Sequence, residues 1–174
     1  MGKVIIAAFV RGVDGFSNWL GRTVAWLSLG MVLVTFVVVV LRYGFDQGWI
    51  ALQESVVYMH ATLFMLGAAY TLKHDAHVRV DIFYQRLGAK GRAWVDLLGA
   101  CLLLIPFCAF VLWASWDYVA ASWQVRESSR EAGGLPAVFL LKSLIPVFAV
   151  VLALQGVALA LRALGVLMDR PVGE

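Results

Sequence analysis

The stretch TVAWLSLGMVLVTFVVVVL, from Thr23 to Leu41, runs for 19 residues without an Asp, Glu, Lys or Arg. An α-helix rises about 1.5 Å per residue, so about 20 residues cross the roughly 30 Å hydrocarbon layer of a bilayer. Three more charge-free stretches follow, Ser55 to Leu72, Leu97 to Trp116 and Ser143 to Leu161, of 18, 20 and 19 residues. The run Val37-Val38-Val39-Val40-Leu41 lacks the alternation of a barrel strand, and backbone groups in lipid must pair internally, which such runs do as helices. The chain reads as an all-α integral membrane protein with four transmembrane helices, over about 23–41, 54–72, 95–118 and 137–161, in a single membrane domain covering 1–174. A composition of 62% hydrophobic and 14% charged residues excludes a soluble domain of this size, and the loops are too short to form a separate one.

The basic residues give the orientation. Lys3, Arg11 and Arg22 precede the first span, Lys73, Arg79, Arg86, Lys90 and Arg92 lie between spans two and three, and Arg162 and Arg170 follow the fourth, which makes ten of the 14. Arg42, Arg126 and Arg130 lie on the other side, with Lys142 inside the fourth helix. The excess of positive charge predicts both termini and the middle loop in the cytoplasm. It also accounts for most of the net charge of +3, so that charge is no sign of nucleic acid. Trp19, Trp26, Trp49, Trp94 and Trp123 fall near the span ends, as an aromatic belt does. The apolar run Val4 to Val10 ends at Arg11 without a small-residue cleavage site, so no signal peptide is expected. Ile6 occupies the position at which myristoylation needs Ser or Thr.

Several membrane chemistries lack their residues. Cys101 and Cys108 stand two turns apart, about 10.5 Å along a helix, beyond a disulfide's reach, and read as packing residues rather than a quinone-linked redox pair. His60 is the only histidine within a span, too few for a haem held between facing helices. His74 and His77 near Asp75 and Asp81 match no strong metal signature. The spans carry no mid-membrane acid of the kind a small proton-coupled exporter uses.

The chain's most specific pattern runs from the second helix into the middle loop: Gln53-Glu54-Ser55, then Leu66-Gly67-Ala68-Ala69-Tyr70-Thr71-Leu72-Lys73, then His77-Val78-Arg79-Val80-Asp81. Gly134-Leu135-Pro136 leads into the fourth helix, with Lys142, Pro146 and Gln155 along it. From about Trp19 to Arg162 the chain resembles the small membrane subunit of tripartite ATP-independent periplasmic (TRAP) transporters. The resemblance implies a bacterial inner-membrane scaffold that partners a large membrane subunit and a periplasmic substrate-binding protein in the uptake of an organic acid or similar solute. It also implies a sodium gradient as the driver, with the ion held by the large subunit, and neither a cofactor nor enzymatic activity in this chain. The alternative class is a structural or assembly subunit of another membrane complex. The loop from Ser122 to Leu135 is longer than the family pattern.

Individual residues then acquire expected roles. Glu54 and Lys142 lie on the same side of the membrane, where a charge must snorkel or pair; pairing with each other or with the large subunit is expected. His77, Arg79 and Asp81, beyond Lys73, are expected to latch the cytoplasmic loop, and Ile82, Phe83, Tyr84 and Leu87 to form a short interfacial helix. Ala149, Ala153, Gly156 and Ala160 line one stripe of helix four, which small residues mark as a packing face. Pro106 and Pro146 are expected to kink their helices. Arg126, Glu127, Arg130 and Glu131 form a charged loop run that suits docking of the binding protein.

Overall fold

The structure is a computed structural model that describes residues 2–76, 84 and 86–169, the side chains from Val4 onward. Its elements are helices: α1 Gly2–Phe45, α2 Ile50–Lys73, α3 Ala89–Leu98, a π-helical stretch Gly99–Leu104, α4 Ile105–Gln124 and α5 Val138–Leu167. Four helical units are long and apolar enough to cross a membrane: α1, α2, α3 with its continuation through α4, and α5. Of the expected interfacial helix, residues 82, 83 and 85 lie outside the described residues, Arg86 and Leu87 form a turn and a bend, and Tyr84 donates to Asp96 Oδ2 at 2.9 Å.

The first helix is far longer than its charge-free stretch. Its 44 residues span about 66 Å, twice the hydrocarbon thickness. Nothing between Gly2 and Arg22 stops it, since that segment has no Pro and buries a face of its own. Val10, Ser17 and Val24 stand seven residues apart and are all buried, two turns being enough to return to one face.

α1 and α2 form an antiparallel hairpin that two glycines bring close together. A Cβ on Gly21 would run into the Tyr70 ring, and one on Gly30 would lie 3.2 Å from Met59 Sδ. α5 is the central helix, packing against α1, α2, α3 and α4. Cys108, Ala149 and Leu152 centre the core, with Ala68, Leu72, Leu104, Val111, Leu112, Phe148 and Ala153 around them. The small stripe of α5 therefore faces the chain's own bundle: Ala149, Gly156 and Ala160 are buried, and a Cβ on Gly156 would lie 2.9 Å from Leu104 Cδ2. Of the two cysteines only Cys108 packs in this core; Cys101 is exposed, because the π turn moves it to the outer face.

That π turn has a local cause. Pro106 has no N–H to offer Leu102, and its ring crowds that carbonyl, so the backbone widens over Gly99–Leu104 just ahead of it. Pro146 instead lies inside a continuous α5. Helix ends are closed by residues in the left-handed region. After α2, Asp75 has φ 58°, and Ala76 N–H donates to Thr71 O while Asp75 N–H donates to Leu72 O. After α4, Arg126 has φ 48°, and Glu127 N–H reaches Ser122 O while Arg126 N–H reaches Trp123 O. Both are Schellman closures.

Candidate functional site

Two polar clusters sit at opposite ends of the bundle. The first lies at the end that carries Lys73 and Arg162, and its hub is Asp14, the only acid in the first 45 residues. Arg162 Nη1 donates to both Asp14 oxygens, at 2.9 and 2.7 Å, and Gln155 Nε2 donates to Oδ1 at 3.0 Å. Ser17 Oγ donates to Gln155 Oε1 at 2.8 Å, and Lys73 Nζ donates to the Asp14 backbone carbonyl at 3.2 Å. Gln155 is wholly buried, so its amide must find partners within the protein. Three helices thus meet on one carboxylate and its peptide group.

Sequence reasoning took Arg162 as topogenic charge and Gln155 as part of a pattern, and passed over Asp14 and Ser17. The available signal was a lone acid between Arg11 and Arg22, one helical turn from Ser17.

The second cluster lies at the other end and fastens the loop between α4 and α5. Glu54 Oε1 accepts a short hydrogen bond from Ser129 Oγ, and Oε2 accepts one from the Leu135 amide at 2.6 Å. Ser129 N–H donates to Leu135 O at 3.1 Å, and Gly134 N–H to Glu131 O at 3.0 Å, so the loop folds back on itself around this carboxylate. Gly134 has no room for a side chain: a Cβ there would collide with Ser129 Oγ and lie 2.8 Å from Glu54 Oε1.

Lys142 on α5 makes a short salt bridge to Glu127 and holds its ammonium 3.9 Å from the Tyr118 ring centroid. The hydrogen bond from Lys142 holds the Glu127 carboxyl below its ordinary range, against an opposing effect of burial and with help from the charges of Lys142 and Arg130. Trp123 Nε1 donates to Ser143 Oγ at 2.7 Å, which ties α4 to α5 beside this pair.

Glu54 and Lys142 therefore do not pair with each other. Each reaches the loop instead, because the loop supplies nearer partners to both. Arg126, Arg130 and Glu131 are exposed on that loop, whereas Glu127 is half-buried and turned inward. Lys73 joins the first cluster. His77, Arg79 and Asp81, named from the sequence as a latch, lie outside the described residues. Among the described residues no group of three or more His, Cys, Asp and Glu is gathered where it could hold a metal ion.

Comparison with known proteins follows the same boundaries. Residues 31–165 match the family model described as the DctQ component of tripartite ATP-independent periplasmic transporters. A Vibrio cholerae protein named C4-dicarboxylate TRAP transporter small permease protein DctQ is 31% identical over 96 residues, 55% of this chain and 40% of that protein. A Haemophilus influenzae protein described as a TRAP transporter small permease protein is 31% identical over 86 residues, 49% of this chain and 53% of that protein. The matched segments thus span about half or less of these relatives' own lengths. No solved structure matches the chain. The family model covers the last third of α1, all of α2 through α4, and α5 almost to its end, and by that coverage the chain belongs to the DctQ component family of tripartite ATP-independent periplasmic transporters.

Proposed function

We propose that this chain is the fixed scaffold partner of a larger membrane subunit in binding-protein-dependent uptake, driven by an ion gradient, of an organic acid or similar solute. The observation that carries the reading is the DctQ match over residues 31–165 on a body of four membrane-length helical units. The two clusters suit a scaffold, since each ties helices to one another or to a loop rather than leaving charge in an open cavity. The C4-dicarboxylate in the name of the Vibrio relative supports an acid as solute. The coupling ion, sodium by the family pattern, belongs to the large subunit in this reading, and this chain holds no cofactor.

The excess of basic residues places the Asp14 end in the cytoplasm and the Glu54 end in the periplasm. The α4–α5 loop then faces the soluble binding protein. Arg126 holds a left-handed φ of 48°, a conformation that costs an arginine more than a glycine, and its side chain is exposed beside Arg130 and Glu131. Glu127 and Glu54 anchor this loop from below, so its outward charges form the docking surface. His77, Arg79 and Asp81 are assigned to the cytoplasmic latch on the sequence pattern alone.

The test is genetic and biochemical together. In cells that keep the large subunit and the binding protein, deleting this chain abolishes solute uptake and restoring it recovers uptake. The tagged chain brings down a membrane protein of many spans from mild detergent. Recovery of a redox enzyme, or of the chain alone in a defined homo-oligomer, refutes the proposal.

A further inference from the structure

Along α2 the exposed side chains are Gln53, Val57, His60 and Phe64, and their spacing of four, three and four sets them on a single stripe. The rest of α2 is covered to some degree by the chain itself, chiefly by α1 and α5. His60 departs from the tendency of a polar titratable group in a span to face its own bundle. Its Cα lies about 7.5 Å along the helix axis from Ser55 and about 18 Å from Leu72, the two ends of the charge-free stretch, which is within the hydrocarbon layer. Its ring lies 6.3 Å from that of Phe64, near parallel, and among the described residues nothing hydrogen-bonds to the imidazole. A neutral imidazole carries one donor and one acceptor, and hydrocarbon satisfies neither.

We infer that the Gln53–Val57–His60–Phe64 stripe of α2 is the contact face for the large membrane subunit, and that His60 hydrogen-bonds to a polar side chain on one of its helices at the same depth. The inference rests on the scaffold reading above and says which face carries it. Lipid tails offer no partner at this depth. A second copy of the chain could set a neutral imidazole against His60, donor to acceptor, and is the competing outcome of the test; the large subunit is the occupant taken here because the family is a tripartite assembly whose members include different chains. A helix of another chain supplies what His60 lacks, while Val57 and Phe64 on either side provide apolar contact and Gln53 meets the partner near the headgroups. Hydrogen bonds between helices in lipid add to packing in such contacts.

The experiment uses the complete transporter in native membranes. A benzophenone amino acid is placed singly at Val57 and at Phe64, with exposed Phe110 of α4 as the background position, and the membranes are irradiated. An adduct of this chain with the large subunit forms from both α2 positions above the Phe110 level. Adducts with a second copy, or none above background while the unmodified chain still co-purifies the large subunit, overturn the inference and leave the scaffold reading intact. If the unmodified chain recovers no large subunit, the scaffold reading fails first and the inference with it. In parallel, His60→Leu lowers recovery of the large subunit by about threefold to tenfold, and His60→Gln, which keeps a donor and an acceptor, retains it. Equal recovery with Leu and Gln removes the hydrogen bond from the proposal and overturns it.

Discussion

Asp14 is the residue whose loss costs the bundle most relative to what the sequence suggested. Its carboxylate accepts from Arg162 and Gln155, and hydrogen bonds to charged groups are worth about 2 kcal/mol each when partly shielded. Asp14→Ala leaves the buried Gln155 amide and the Arg162 guanidinium short of a partner, so the thermal unfolding midpoint in detergent falls. The double variant Asp14→Ala, Arg162→Met recovers part of the loss, which a double-mutant cycle measures. Gly134 makes a steric prediction. Gly134→Ala forces a methyl group into the Ser129–Glu54 hydrogen bond and destabilises by about 1–3 kcal/mol, the usual cost of overpacking. Gly134→Ser and Gly134→Asn do no better, since each brings the same Cβ, whereas Gly133→Ala is opposed by its φ of 81° rather than by a neighbour. Glu54 and Lys142 were legible as charges needing partners; the identity of the partners was not, because those lie 75 and 15 positions away along the chain.

At the scale of elements, the four membrane units were readable from charge-free length alone, since hydrocarbon thickness sets that length directly. The extension of α1 back to Gly2 was not, because its buried face of Val10, Ser17 and Val24 acquires meaning only against neighbouring helices. The hairpin contact at Gly21 tests how tightly α1 and α2 are held. Gly21→Leu must displace the Tyr70 ring, which separates the helices and lowers the unfolding midpoint more than Gly15→Leu, where a Cβ meets nothing within 4 Å. The α4–α5 loop adds a pH dependence. The folded pKa of Glu127 is depressed below 4.5, so its contribution is present above the ordinary carboxylate range and is lost as pH falls through the lowered value. The unfolding midpoint of the wild type therefore drops as pH falls below 4.5, and Glu127→Gln, which lacks this titration, shows a smaller drop when the two are scanned side by side.

For the whole molecule, the docking proposal predicts a salt signature. Reversing Arg126 and Arg130 to Glu slows solute uptake several-fold at low ionic strength and less at about 0.5 M salt, since long-range steering is screened beyond a Debye length of about 4 Å there. Initial uptake rates against salt concentration check it, and an unchanged salt response counts against docking at this loop. Glu127 is excluded from that surface by its salt bridge to Lys142, a distinction that the charge run Arg126-Glu127-Ser128-Ser129-Arg130-Glu131 does not display in one dimension.

The order of amino acids alone decides the number of membrane-length helical units and the resemblance that the family match bears out, because hydrophobic length and short motifs are local properties of the chain. Tertiary packing was needed to show that Asp14 joins Arg162 and Gln155, that Glu54 and Lys142 reach the loop rather than each other, that the small stripe of α5 faces inward, and that His60 faces outward. Each of these depends on which face of a helix meets which neighbour, and a rotation of one residue along a helix, about 100°, changes the answer while leaving hydropathy and composition untouched.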